Sequence, residues 1–142
     1  MQMFSVKEES GFSLVELLLV VVILGIVGSI AIPNILSSRQ ASQQAAAFAT
    51  LRTMLGGQQV YRATKGRYAR LVELNAEFGG SLGTLAGPTL RRQGYVFQMI
   101  PTSPTNAQLA NQFTTAASGY GIGGRLIIFT IDERGTLTQV SP

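Results

Sequence analysis

Three residues near the start of the sequence, Gly11, Phe12 and Glu16, have types and a spacing that could do chemistry. A cut of the backbone after Gly11 would give Phe12 a free α-amine. Glu16 lies four residues further on, which is about one turn of a helix. Its carboxylate could therefore meet that amine and form an ion pair, either in the same chain or between neighbouring chains. If the backbone is cut after Gly11, the spacing therefore predicts a charge pair between Glu16 and the new amine.

An apolar run begins with these residues, extends from Phe12 to Ile32 and stops at Pro33. As a helix, a run of about 21 residues would be roughly 31 Å long, which matches the hydrocarbon thickness of a bilayer. The apolar region of a secretory signal is shorter and ends at a small-residue cleavage site, whereas the break at Gly11 precedes this run. We therefore predict a membrane-spanning helix that remains in the mature protein.

Glu16 is the single ionisable group in this predicted span. Insertion of an acid costs about 2.5–3.5 kcal/mol at the centre of a span and less near the interface, so we expect Glu16 to have a partner. The alternative is that its carboxylate reaches the lipid headgroups without one. At the other end of the span, Pro33 removes a backbone donor and predicts a kink or a loosened helix.

A second group of residues combines basic and aromatic side chains. It comprises Arg62, Lys65, Arg67 and Arg70, with Tyr61 and Tyr68 among them. Proteins that bind single-stranded nucleic acid use this mixture, so the four cations are candidates for contact with DNA or another anionic surface ligand. The excess after Pro33 of ten cations over four anions suits such a partner. The alternative is that these residues cap a helix end, that the tyrosines pack and that the charge serves solubility.

The composition excludes most enzymatic chemistry. Cys and His are both absent from the sequence, so thiol chemistry and the commonest general base are excluded. Residues 119–124 match GxGxxG in letters, but the β-rich residues that follow contradict a dinucleotide site, which needs a helix there. Asp132 and Glu133 are too few for a calcium site of about six to eight oxygens. We predict no enzymatic activity, no cofactor and no metal.

Hydrophobic periodicity predicts an α+β fold, with a long N-terminal helix packed on a small antiparallel sheet of three to four strands. Residues 34–65 carry apolar side chains three and four apart, which predicts an amphipathic continuation of the membrane helix that ends at Lys65. The divisions we predict are a leader (1–11), a membrane or filament-core half of the helix (12–33), its amphipathic half (34–65) and a globular head (66–142).

Within the head, β-branched and aromatic residues predict strands near residues 94–100, 113–117, 125–131 and 136–140. We expect a single helical turn over residues 71–75 and a turn-rich loop over residues 79–88. A polar loop is expected through Pro104 and Asn106, and the glycines of residues 119–124 are expected to form a loop between strands.

The stretch Gly11-Phe12-Ser13-Leu14-Val15-Glu16-Leu17, the apolar run and Pro33 together resemble the type IV pilin-like family, which includes type IVa pilins and the pseudopilins of type II secretion. The resemblance is close over about residues 7–35. More loosely, the long helix, Gly66-Arg67-Tyr68 and the hairpin over residues 129–135 look like the small heads of such pilins. The chain departs from the family in its leader, which is not clearly basic, and in lacking a Cys pair.

The resemblance implies that a membrane prepilin peptidase cuts after Gly11 and N-methylates Phe12, and that Glu16 pairs with the Phe12 amine of a neighbouring subunit. It implies a single-pass prepilin in the inner-membrane bilayer with its head in the periplasm. An inner-membrane assembly platform would then build an extracellular filament, a helical homopolymer with the helices, Pro33 included, in its core. The predicted function is therefore the structural subunit of a type IV pilus, with roles in adhesion or motility.

Three alternatives stay open at this point. The chain could be a type II secretion pseudopilin or a minor tip pilin, either of them with DNA binding. From another class, it could be a signal-anchored periplasmic binding module. Retention of residues 1–11 on the mature protein would favour the binding module, whereas scarcity in sheared surface filaments would favour a pseudopilin or a minor subunit.

Overall fold

A computed structural model of the chain describes residues 11–140. The predicted leader, residues 1–11, lies outside this range except for Gly11. The chain divides into two compact units, one extending to Leu36 and the other beginning at Ser37. The first unit, as far as it is described, is helical from Leu14 onward, and the second contains the sheet and the hydrophobic core.

Helix α1 extends from Leu14 to Lys65 and contributes residues to both units. In the second unit, Ala47, Leu51 and Met54 are buried at spacings of three and four residues, which place them on one face of a helix. The predicted amphipathic stripe is therefore confirmed. The helix ends where cations and a glycine predict its end, and Gly66 takes the left-handed φ of 73° that glycine adopts readily.

Six strands form one antiparallel sheet in which each strand pairs with the next along the chain. They are β1 (Thr84–Ala86), β2 (Thr89–Arg92), β3 (Tyr95–Met99), β4 (Thr114–Tyr120), β5 (Leu126–Asp132) and β6 (Leu137–Val140). The fold class is confirmed, but the expected number of three to four strands is wrong. The β1–β2 hairpin begins inside the stretch that we expected to be a loop, because strands this short are stabilised by pairing with a neighbour more than by their own propensity.

A row of large and small side chains crosses the sheet and faces α1. Phe97 of β3 pairs with Ala117 of β4, which in turn pairs with Phe129 of β5. The centre of the Phe48 ring of α1 lies 4.4 Å from the centre of the Phe129 ring. Strand β3 buries every second residue, as expected for a strand with one face on a core. The part of α1 in the second unit therefore covers the apolar face of the sheet, as the sequence predicts.

Two short helices connect these elements. Helix α2 (Leu71–Glu77) is the predicted helical turn, extended by two residues. Helix α3 (Asn106–Asn111) lies where we expected a polar loop, so that expectation is wrong. Its start is a capping box, in which the Thr105 N–H donates to Gln108 Oε1 at 2.9 Å and the Gln108 N–H donates to Thr105 Oγ1 at 3.3 Å. The pattern Thr-x-x-Gln is a sequence signal for such a start.

Candidate processing and assembly site

The predicted cleavage position lies just ahead of α1. Residues Gly11, Phe12 and Ser13 are not helical, and the Ser13 carbonyl accepts a hydrogen bond from the Leu17 N–H at 3.1 Å. Phe12 is 80% exposed, and a Cβ added at Gly11 would meet no atom of the described residues within 4 Å. The bond after Gly11 therefore lies in an exposed, non-helical segment, which is the form of backbone that proteases cleave most readily.

Glu16 lies in the first turn of α1. The unpaired backbone N–H groups at a helix start, together with the helix dipole, favour a negative charge there by about 0.3–1 kcal/mol. Within residues 11–140, no side chain forms an ion pair or a hydrogen bond with the Glu16 carboxylate. A cation supplied by another molecule would therefore find this acid without a competing partner in the described part of its own chain.

The rest of the first unit is an uncovered apolar helix. Among the helices of residues 11–140, only α1 is long and apolar enough to cross a membrane. The most apolar 18 residues of this helix are 0% buried. Leu14 is 80% exposed, and Ile30 is 65% exposed. Each Å² of such surface is unfavourable in water by about 25 cal/mol. Lipid or another protein is therefore needed to cover the segment of α1 from Leu14 to Leu36, called the apolar segment below.

Pro33 lies inside α1, and the helix continues past it. Its ring nitrogen cannot donate a hydrogen bond to the carbonyl of Ser29. Nearby side chains donate to carbonyls of the same turn: Asn34 Nδ2 to the Ile30 oxygen at 3.0 Å, and Ser29 Oγ to the Ile26 oxygen at 2.7 Å. Side-chain hydrogen bonds therefore supplement the backbone ladder on both sides of the proline.

The basic and aromatic residues lie at the end of α1 and in the loop that follows it. Arg62 Nη1 donates to Tyr68 Oη at 2.8 Å, and the Arg62 guanidinium lies 4.9 Å from the centre of that ring. Arg67 forms a two-pronged ion pair with Glu73, at 2.6 and 2.9 Å, and its guanidinium lies 5.6 Å from the centre of the Tyr61 ring. These contacts support the capping and packing alternative, whereas contact with DNA stays a prediction.

Glu73 is the electrostatic centre of this loop. The hydrogen bond from Arg67 is the main cause that holds the pKa of Glu73 down at about 2, and the Arg70 N–H, which donates to the carboxylate at 2.8 Å, acts in the same direction. The same bond raises the pKa of Arg67. Arg70 Nη2 also donates to Asn106 Oδ1 at 2.8 Å, and Lys65 is exposed. Three of the four candidate cations therefore form contacts within the chain.

Gln58, which our interpretation of the sequence missed, holds this loop against α1. The side chain is fully buried, its Nε2 donates to the Ala69 carbonyl at 2.8 Å, and its Oε1 accepts from the Ala69 N–H at 2.7 Å. A buried amide needs such partners. The signal that could have identified it is a polar residue in register with Leu51 and Met54 on the apolar stripe.

The glycine-rich residues 119–124 were expected to form a loop, but Gly119 and Tyr120 are the last residues of β4, because they pair with Ile127 and Leu126 of β5. The connection between the two strands therefore begins at Gly121. A short 3-10 turn, Ile122–Gly124, is followed by Arg125 and then by β5. The Ile122 N–H donates to Gln40 Oε1 at 3.2 Å. A dinucleotide-binding motif requires a helix after its glycines, so this geometry excludes that use of the stretch.

Comparison with known proteins points to the N-terminal part of the chain. Residues 7–32 match the prokaryotic N-terminal methylation motif. The chain is 39% identical to the type IV major pilin protein PilA of Myxococcus xanthus (strain DK1622) over 59 residues, which are 42% of this chain and 27% of that protein. It is 31% identical to the type II secretion system core protein G of Aeromonas hydrophila over 62 residues, which are 44% of this chain and 43% of that protein.

These matches cover less than half of each relative. The methylation motif includes Gly11, Phe12 and Glu16, and it ends at the residue before Pro33. The same stretch contains the exposed backbone ahead of α1, the acid without a partner in the described residues and most of the apolar segment. The chain therefore carries the N-terminal methylation motif of a prepilin, and its N-terminal part is distantly homologous to a type IV major pilin and to a type II secretion core protein.

Proposed function

We propose that the chain is the structural subunit of a type IV pilus. It is inserted in the inner membrane through the apolar segment, with its head in the periplasm. A prepilin peptidase cleaves it after Gly11 and methylates the new amine of Phe12. An inner-membrane assembly platform then polymerises the mature subunit through its N-terminal helix into an extracellular filament.

The observation that carries this proposal is an uncovered apolar helix with an acid in its first turn. Lipid covers the apolar segment before assembly, and neighbouring helices cover it afterwards. In a bundle of helices the effective dielectric constant is low, so the attraction between Glu16 and the Phe12 amine of a neighbour is stronger than in water. Apolar packing would then hold the filament together, while the ion pair selects one axial register between subunits.

Mass spectrometry of the mature N-terminus tests the processing step. We expect a chain that begins with N-methylated Phe12 and lacks the first 11 residues. Replacing Gly11 with Val should leave the leader attached, because a branched side chain would then precede the cut bond, and an immunoblot would show the larger chain. Ser13→Ala, on the other side of the bond, is the matched control and should be processed. An intact leader on the wild-type protein would contradict the proposal.

The second candidate function is a pseudopilin of type II secretion, and the similarity to the Aeromonas core protein G supports it. Both candidates require the same processing and the same apolar segment. They differ in where the protein accumulates, since a major pilin is abundant in sheared surface filaments and a pseudopilin or minor tip pilin is scarce there. Quantifying the chain in the sheared fraction and in the membrane fraction of the same cells distinguishes the two.

A further inference from the structure

A groove in the second unit is open to solvent and lined by small, apolar and aromatic side chains, with one acid. It lies between α1 and the end of α2 and has a volume of about 440 Å³. On its α1 side Gly57 and Tyr61 lie toward α2, and the remaining lining residues are Thr53, Gly56, Val60 and Thr64. These residues recur every three or four positions, so they lie on one face of the helix and extend over about 16 Å. The groove is therefore about three helical turns long.

The two adjacent glycines at this groove differ in what the chain itself requires of them. A glycine inside a helix costs about 1 kcal/mol relative to alanine. At Gly57 a Cβ would lie 2.5 Å from Phe78 Cε2, so any other residue there would displace the Phe78 ring from its present position. At Gly56 a Cβ would meet no atom of the described residues within 4 Å. Nothing in the described part of this chain therefore explains the glycine at position 56.

The α1 side of the groove allows a second helix to approach closely. Val60, one turn from Gly56, is 66% exposed, so an apolar side chain lies uncovered beside the glycine. Glycine and threonine side chains are short, and helices approach each other closely where such residues line the contact. A helix with apolar or small side chains would cover Val60 and use the space that Gly56 leaves open.

The same chain carries a helix of this chemistry. The apolar segment is uncovered in the described structure, and the first charged residue after it is Arg39, which is exposed. The groove has one acid at its rim, Glu77, which is also exposed. Within residues 11–140 neither Arg39 nor Glu77 forms an ion pair. A contact between two copies would therefore bring together two apolar surfaces. It would also bring the positive charge of Arg39 on one copy toward the negative charge of Glu77 on the other.

We propose that this groove binds the apolar segment of a second copy of the chain, with Arg39 of that copy opposite Glu77. The inference rests on the proposed function, since it names a contact within the same polymer. It assigns Gly56 to assembly, whereas Gly57 serves the fold of the subunit itself.

Substitutions at position 56 separate these two roles. Gly56→Ala should raise the melting temperature of the full-length protein in detergent by about 3 °C, because alanine is the better helix former and meets no neighbour. Gly56→Leu should leave the subunit folded and inserted but lower the yield of filaments by at least about tenfold, because weakening each contact by about 1.4 kcal/mol lowers its affinity tenfold. Ala63→Leu, exposed on the same helix but outside the groove lining, is the control and should assemble like the wild type.

A charge exchange and a crosslink identify the occupant. Glu77→Arg should lower filament yield, and the double variant with Arg39→Glu should restore it. A photoreactive benzophenone amino acid at position 60 should crosslink to residues 14–39 of a second copy in filaments, as mapped by mass spectrometry.

The outcomes for this contact and for the proposed function are distinguishable. Wild-type protein that is not processed at Gly11 and forms no filaments would contradict the proposed function. Filaments of wild-type yield from Gly56→Leu, or crosslinks from position 60 that map only outside residues 14–39, would overturn the groove contact alone. A low filament yield from Gly56→Leu, together with crosslinks from position 60 to residues 14–39, would support the groove contact.

Discussion

The two parts of α1 follow different physical rules. Up to Leu36 the helix is apolar on every side and uncovered, whereas from Ser37 onward it has a distinct stripe, of which Leu51 and Met54 are fully buried. A helix that is apolar all round is stable only inside lipid or among other helices, while an amphipathic helix is stabilised by a core of its own. The composition of the first part therefore reflects surroundings outside the chain, and that of the second part reflects the sheet.

Two acids show the same contrast. Glu16 has no partner within residues 11–140, whereas Glu73 accepts hydrogen bonds from Arg67 and from the Arg70 N–H. The charge of Glu73 therefore stabilises the fold of one subunit, and the charge of Glu16 is available to another molecule. Substitutions at the two acids should accordingly affect different measurements, assembly for the first and subunit stability for the second.

Glu16→Ala should give the largest effect. The variant should insert in the membrane at least as well as the wild type, since a desolvation cost of up to about 2.5–3.5 kcal/mol is removed, yet filaments should be absent. Electron microscopy of the sheared fraction and an immunoblot of the membrane fraction measure the two outcomes. Val20→Ala, one turn further along the same helix, is the control and should assemble. Normal filaments from Glu16→Ala would contradict the ion pair.

Gln58→Leu should give the largest loss of subunit stability. The substitution leaves the buried N–H and carbonyl of Ala69 without partners, and each unsatisfied group costs about 1–3 kcal/mol, so we expect a loss of about 3 kcal/mol in the free energy of unfolding. Chemical denaturation of the full-length protein in detergent measures it. Gln59→Leu is the control, because that neighbouring glutamine is exposed. Equal stability of the two variants would contradict the role of Gln58.

The sequence predicted those features that follow from a local pattern. Helix α1 and strands β3 to β6 each carry their own periodicity, and Gly11, Phe12 and Glu16 form a pattern within six residues. Strands β1 and β2 contain three and four residues, too few for a period, and they form because β3 supplies a pairing edge. The bonds between Gln58 and Ala69 join residues 11 positions apart, so the partner could not be identified from the glutamine alone.

Glu73 makes the stability of the second unit depend on pH. Its pKa is lowered from 4.5 to about 2 in the folded protein, so the unfolded chain takes up the proton first as the pH falls. The stabilisation is therefore fully present above about pH 4.5 and is lost as the pH falls toward 2. Because the pair is partly exposed, we expect ionised Glu73 to stabilise the folded protein by about 2 kcal/mol. This is less than the free energy to which the full pKa shift corresponds.

Glu73→Gln should accordingly lower the free energy of unfolding by about 2 kcal/mol at pH 7 and by almost nothing at pH 2. Chemical denaturation at both pH values measures this difference. Glu133→Gln is the control, because its ion pair with Arg134 is 3.9 Å long and that arginine is 83% exposed, so less than about 0.5 kcal/mol should be lost. A loss at Glu73→Gln that is the same at both pH values would contradict the assignment of the pH dependence to this carboxylate.

Gln93→Asn should give the smallest effect, a gain. Gln93 and Gly94 connect β2 to β3 with φ values of 48° and 83°, which is the pattern of a two-residue type I′ turn. Asparagine adopts a positive φ more readily than glutamine, so the variant should be about 0.5 kcal/mol more stable. Gln98→Asn within β3 should lose stability instead, because asparagine is unfavourable in strands. A gain in the denaturation midpoint with filament yield unchanged would show that the subunit can be stabilised without touching the surfaces that assemble it.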